Sequence, residues 1–136
     1  MALTNQPYLP LYVDDWMNNT KLKQCSAGAH GVMIAVMCLM HKEDTYGSVL
    51  LDQIYNQSDN QVKNFASFLA RVTPFTLLES EHGLKELLHW KILKLDGNVL
   101  ICERMVRDGE LSRLRSKIGA SGGKKTQKKI REKSPF

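Results

Sequence analysis

An Asp96-Gly97 pair set between two apolar runs constrains this chain more than any other feature. Ile92-Leu93-Lys94-Leu95 precedes the pair and Asn98-Val99-Leu100-Ile101-Cys102 comes after it. Asp-Gly between apolar runs is the strongest short-range signal for a β-hairpin, because both residues tolerate the positive φ that a tight turn demands. Everything upstream has to be reconciled with a hairpin near the end of the fold.

The upstream patterns are mostly helical. The opening Tyr8-Leu9-Pro10-Leu11-Tyr12-Val13 reads as an extended apolar arm packed on the globe, and Asp14, Asp15 and Trp16 start a short helix reaching about Leu22. Ser26 is a good N-cap. Ala27 to about His41 is apolar on most faces, as a central buried helix is. Tyr46-Gly47-Ser48-Val49-Leu50-Leu51 reads as a turn and a short strand. Ser58-Asp59-Asn60-Gln61 has the capping-box pattern, and Val62, Phe65, Ala66, Phe68 and Leu69 come next at helical spacing. Pro74 ends that helix by Thr73. A second capping box, Thr76-Leu77-Leu78-Glu79, opens a helix to about His89 that buries Leu77, Leu84, Leu87 and Leu88, and Trp90 closes it. Helix, short strand, helix, helix, hairpin is the order of a winged helix-turn-helix domain, mainly α with a small hairpin as the wing. The Thr76 helix then occupies the recognition-helix position.

The chain has 136 residues, enough for one core, and its 43% hydrophobic and 24% charged composition suits a globular domain. Charge is unevenly spread. Residues 1–102 carry 8 Lys/Arg against 10 Asp/Glu, and residues 103–136 carry 11 against 4. Apolar periodicity fades after Met105, although Leu111, Leu114 and Ile118 allow another amphipathic turn or two, and Gly119, Gly122 and Gly123 disfavour any helix beyond them. The expected division is therefore a winged-helix domain with its arm over 1–106 and a basic flexible tail over 107–136. No apolar run approaches the roughly 20 residues that span a bilayer, and no export signal is read. Cys25, Cys38 and Cys102 have no disulfide-framework spacing and are read as buried free thiols in a reducing cytoplasm.

A family resemblance rests on an ordered set of segments. YLPLYVDDWMNNTKLKQCSAGAHGVMIAVMCLMHK resembles the N-terminal domain of phage and prophage replisome organisers, a group similar to DnaD-type primosomal domains. Tyr46 to Leu51, the run Cys102-Glu103-Arg104-Met105-Val106, and Arg115-Ser116-Lys117 with Gly119, Gly122, Gly123 and Lys124 recur in the same order in that family. The resemblance covers nearly the whole chain. It implies a winged-helix domain of DNA replication initiation that binds DNA or assists helicase loading, and often self-associates. In longer members the Gly-Lys segment leads into a further domain, so residues 107–136 also read as a linker to one absent here.

The candidate DNA contacts are mainly cationic. In the tail, Arg113, Arg115, Lys117, Lys124, Lys125, Lys128, Lys129, Arg131 and Lys133 are placed to neutralise phosphates and release counterions, giving salt-sensitive affinity largely independent of sequence. On the globe the candidates are Asn60, Lys63, Asn64, Lys85, Lys91 and Lys94. Glu79, Glu81 and Glu86 on the recognition-position helix would repel phosphates, so a solvated or protein-binding face is favoured there over base reading. Double- and single-stranded DNA both remain open.

No catalytic residue, metal or cofactor is assigned. Cys38 and His41 share a helix but lack a second ligand pair, Cys25 and His30 lack an orienting third group, and no phosphate-binding loop or nucleophile elbow is present. Two other functions stay open: an interaction module that self-assembles or recruits a helicase or its loader, and a transcriptional regulator. Neither involves a membrane.

Overall fold

The computed structural model describes residues 6–51 and 61–121, with side chains to residue 118. In chain order they form α1 (Val13–Asn18), α2 (Ala27–Lys42), β1 (Ser48–Leu50), α3 (Gln61–Val72), α4 (Leu77–His89), β2 (Lys94–Asp96), β3 (Val99–Ile101) and α5 (Glu103–Ser121), with a 3-10 turn at Leu22–Gln24. Helices dominate, and the strands make one antiparallel sheet in the order β1-β3-β2.

The core grows around α2. The Ser26 hydroxyl accepts from the Ala29 amide at 3.2 Å, which fixes the helix start. Ala29, Val32, Met33, Val36, Met37 and Met40 are all buried, while Ile34 and Cys38 mark the narrow outward face. Helix α4 packs across α2 and against α3. Gly83 makes the first crossing close: a Cβ there would lie 2.6 Å from Val32 Cγ2 and 3.4 Å from Ala29 Cα. The α3–α4 corner is built locally. Thr73 Oγ1 donates to the Leu69 carbonyl and accepts from the Phe75 amide. Thr76 and Glu79 then form the reciprocal capping box at 2.9 and 3.1 Å.

The sheet closes one end of the core. β1 and β2 flank β3, pairing Val49 with Leu100 and Leu95 with Leu100. Val49 and Leu100 are buried. Gly47, at φ +87°, admits α5: a Cβ there would strike the Val106 amide at 2.7 Å.

Several sequence expectations need correction. The short first helix stops at Asn18 because the Asn19 side chain accepts from the amides of Lys21 and Leu22, both at 3.0 Å, and starts the 3-10 turn instead. The hairpin turn is one residue later than Asp96-Gly97. Asp96 pairs with Val99, so Gly97 and Asn98 are the central pair, and only Gly97 has positive φ, at 60°. Glycine in the first central position is the II′ preference. Leu77 is exposed although it shares a helical face with buried Ser80 and Leu84, because it is the first residue of α4. Cys38 is exposed, whereas Cys25 and Cys102 are buried. Residues 107–121, expected to begin a flexible tail, continue α5. Leu111, Leu114 and Ile118 keep helical spacing through this stretch, among helix formers such as Glu110, Arg113, Arg115 and Lys117.

Candidate nucleic-acid interface

Four residues of α4 form a solvent stripe at helical spacing: Leu78, His82, Lys85 and His89, all exposed. None is acidic. The three carboxylates expected to repel DNA from this helix are held to its flanks by structural tasks. Glu79 closes the capping box, and its hydrogen bonds from the Thr76 backbone and side chain lower its pKa. Glu81 pairs with Lys85 at 3.2 Å. The Glu86 side chain reaches across to α2: its carboxylate accepts from the Ser26 amide at 3.0 Å and from the Ser26 hydroxyl at 2.6 Å. The stripe itself therefore carries no carboxylate, and its one lysine, Lys85, is offset by Glu81.

The predicted globe contacts divide. Lys63 is exposed on α3 and Lys85 on α4. Asn64 does not fit a DNA contact, because it is 7% exposed and sits in the buried run with Phe65 and Ala66. Asn60 lies outside the described residues. Arg113, Arg115 and Lys117 are exposed, but on the helix α5 and not on an irregular tail. Lys124, Lys125, Lys128, Lys129, Arg131 and Lys133 lie outside the described residues.

Lys91 and Lys94 belong to a different feature, a cleft of about 260 Å³ between the N-terminal arm, the α4–β2 link and the start of α5. Lys94 bonds Glu103 at 2.8 Å, and this bond lowers the pKa of Glu103. Lys91 ends α4 in a Schellman arrangement. The Ile92 amide bonds the Leu87 carbonyl at 2.9 Å and the Lys91 amide bonds the Leu88 carbonyl at 3.1 Å. The position between them requires left-handed backbone, and Lys91 adopts φ 59° there without being glycine.

The arm that walls this cleft is tied down by His41, which is only 9% exposed. The Gln6 carbonyl can only accept, so Nε2 carries the hydrogen across their 2.9 Å contact. The Tyr46 hydroxyl, 2.8 Å from Nδ1, donates to it. Both ring nitrogens are therefore engaged within the fold, and Cys38 faces solvent elsewhere. Across the cleft Arg104 pairs with Asp15 and stacks over the Tyr12 ring at 5.1 Å. Asp108 lies beside it, and burial raises its pKa. Among the described residues, no three His, Cys, Asp or Glu side chains gather as metal ligands.

Sequence reasoning missed Lys21, Arg104 and Arg107 as members of this cleft. Arg104 and Arg107 are three apart at the start of α5, a visible spacing, but the Tyr12 and Asp15 partners of Arg104 are about ninety residues away and are not visible. In comparison with known proteins, no family model, no curated protein and no solved structure matches the chain.

Proposed function

We propose that this chain is a non-catalytic DNA-binding protein built on a winged helix-turn-helix, of the replisome-organiser kind that its sequence resembles. Its role would be in initiating DNA replication for a phage or prophage. The observation that carries the reading is the acid-free α4 stripe of His82, Lys85 and His89. It stands on the helix that precedes the hairpin, in a helix-strand-helix-helix-hairpin order with β1 beside β3. That order supports a winged helix, and α4 holds its recognition position. Glu79 and Glu86 keep their charge but are held on the flanks of this stripe, and Glu81 offsets Lys85, so attraction to phosphates rests mainly on the cations outside α4. Lys63, Arg113, Arg115 and Lys117, with the basic residues from Lys124 to Lys133, add sequence-independent attraction to phosphates.

The test is binding of labelled duplex and single-stranded DNA across a salt series. Three forms are compared: the intact chain, a Lys63→Glu/Lys85→Glu variant, and a chain ending at Ser121 so that α5 stays whole. Each lost phosphate contact should lower the log–log salt slope by about 0.9 on duplex DNA. Loss in both altered forms supports shared use of globe and C-terminal residues. Unchanged binding in the lysine variant removes α4 from the interface, and no binding by the intact chain at modest salt overturns the reading.

A second reading, self-assembly, has its own observation. Leu111, Leu114 and Ile118 recur at i, i+3 and i+7 on α5 and are 52%, 53% and 40% exposed. Such a stripe suits a helix pair. Light scattering on the intact chain and on Leu114→Glu would read it directly.

A further inference from the structure

We propose that the cleft between the N-terminal arm and the start of α5 is a docking site for an acidic peptide segment of a partner protein, one that inserts a large apolar side chain. The inference goes beyond DNA binding, since no residue of the α4 stripe lines the cleft.

The floor is apolar: Leu22, Met33, Met37, Ile92 and Met105. Its volume, about 260 Å³, falls below the roughly 300–1,000 Å³ of drug-sized ligand pockets. A single anchoring side chain is the better match. The rim is charged and unbalanced. Lys21, Lys91, Lys94, Arg104 and Arg107 stand against Asp15, Glu103 and Asp108. All three carboxylates already have a cation: Asp15 and Asp108 have Arg104, and Glu103 has Lys94. Lys91 forms no ion pair among the described residues and sits in a backbone conformation that a lysine adopts only at a cost. The surplus charge therefore faces outward around an apolar hole, the complement of a peptide with carboxylates flanking an apolar anchor.

The surface beside the cleft selects peptide over nucleic acid. Leu11 and Tyr12, both exposed, form part of its wall, and Val13 and Met17 continue the apolar surface along α1 at 63% and 62% exposure. A phosphate backbone has no use for these side chains. A peptide buries them, and exposed apolar patches rimmed by charge mark protein-interaction sites.

The test is selection of displayed random linear peptides on the immobilised intact chain, followed by anisotropy titration of the enriched sequences as synthetic peptides. Titrations use the wild type, Lys91→Glu/Arg107→Glu and Lys91→Gly. Lys91 and Arg107 are exposed, so charge reversal spares the core, and Lys91→Gly removes the ammonium while relaxing the backbone. Enriched peptides are expected to combine Asp or Glu with a Phe, Leu, Met or Trp, and to shift the emission of Trp16, which lines the cleft. Their affinity should fall about tenfold in the charge-reversed variant and about threefold in Lys91→Gly. Three outcomes would overturn the proposal: no enrichment, enrichment without an acidic bias, or peptides that bind all three proteins alike. So would an oligothymidylate that needs Lys91 and Arg107 where the peptides do not, since that would give the cleft to nucleic acid.

Discussion

The Glu86 carboxylate grips Ser26 twice, through its amide and its hydroxyl, so that α4 supplies the cap of α2 from sixty residues away. The Ser26 hydroxyl in turn accepts from Ala29, which makes a relay from one helix into the first turn of the other. A carboxylate is also favoured there by the helix dipole. Glu86→Ala should cost about 1 kcal/mol, as should Ser26→Ala. The two losses should not add, because both remove the Ser26 hydroxyl–carboxylate bond. Urea unfolding of both single variants and the double variant checks this. A double variant that loses the plain sum of the two would show the contact to be energetically idle.

Two glycines near this junction should respond to alanine in opposite directions. A Cβ at Gly83 would collide with Val32 at 2.6 Å, whereas one at Gly28 meets only Ser26 Oγ at 3.7 Å. Gly83→Ala gains about 1 kcal/mol of helix propensity but forces α2 and α4 apart, for a net loss of about 1–2 kcal/mol. Gly28→Ala should stabilise by about 0.5 kcal/mol. Thermal melts of the two variants decide it: a stable Gly83→Ala protein would mean that α4 does not approach α2 this closely.

Local signals were legible in the sequence and long-range ones were not. The Thr76–Glu79 capping box and the Pro74 corner could be read because each spans only a few residues. The Ser26–Glu86 contact could not, because its partners are sixty residues apart. Asp96-Gly97 announced the hairpin, but only the β2–β3 register showed that the turn starts at Gly97. The length of α5 was only partly legible: Leu111, Leu114 and Ile118 signal a further amphipathic stretch, but they are exposed, and no buried apolar residue follows Met105 among the described side chains. Asn64 looked like a nucleic-acid contact by residue type, yet it is buried in α3, as are its neighbours Phe65 and Ala66. Lys63 and Lys85 were found as exposed cations. That Lys91 and Lys94 also rim a cleft has no sequence signature, because the arm that walls it is docked through His41 and Gln6.

The His41–Tyr46 pair should set an alkaline limit on stability. Burial, first of all, pushes Tyr46 from 10.0 up to about 12. The folded state thus keeps the phenolic proton in a range where the unfolded chain has released it. With fewer protons bound to the unfolded state, unfolding becomes easier as pH rises from 10, by up to about 1.4 kcal/mol per unit, and levels off near 12. Tyr46→Phe should remove this part of the alkaline decline. It should also cost about 1 kcal/mol at neutral pH, because His41 Nδ1 loses its donor. Denaturant midpoints measured from pH 7 to 11 test both. A variant whose alkaline decline runs parallel to the wild type would place the titrating group elsewhere.

Lys91 offers a substitution that should raise stability and lower binding together. At φ 59° a lysine incurs the left-handed penalty of roughly 1–2 kcal/mol that glycine avoids. Glycine's greater freedom in the unfolded chain offsets about 0.5–1 kcal/mol of that gain. Lys91→Gly should therefore stabilise by about 0.5–1 kcal/mol, with the Ile92 to Leu87 and Lys91 to Leu88 backbone bonds retained. Lys91→Ala keeps the penalty and should show no such gain, so the pair separates backbone strain from loss of charge. Chemical denaturation of the three proteins gives the ordering, and peptide titration on the same samples gives the loss of affinity at the cleft. Equal stability for the glycine and alanine variants would mean that residue 91 is not held in the left-handed region in solution. Its ammonium would then stand at the cleft rim without the backbone strain that marks the position out.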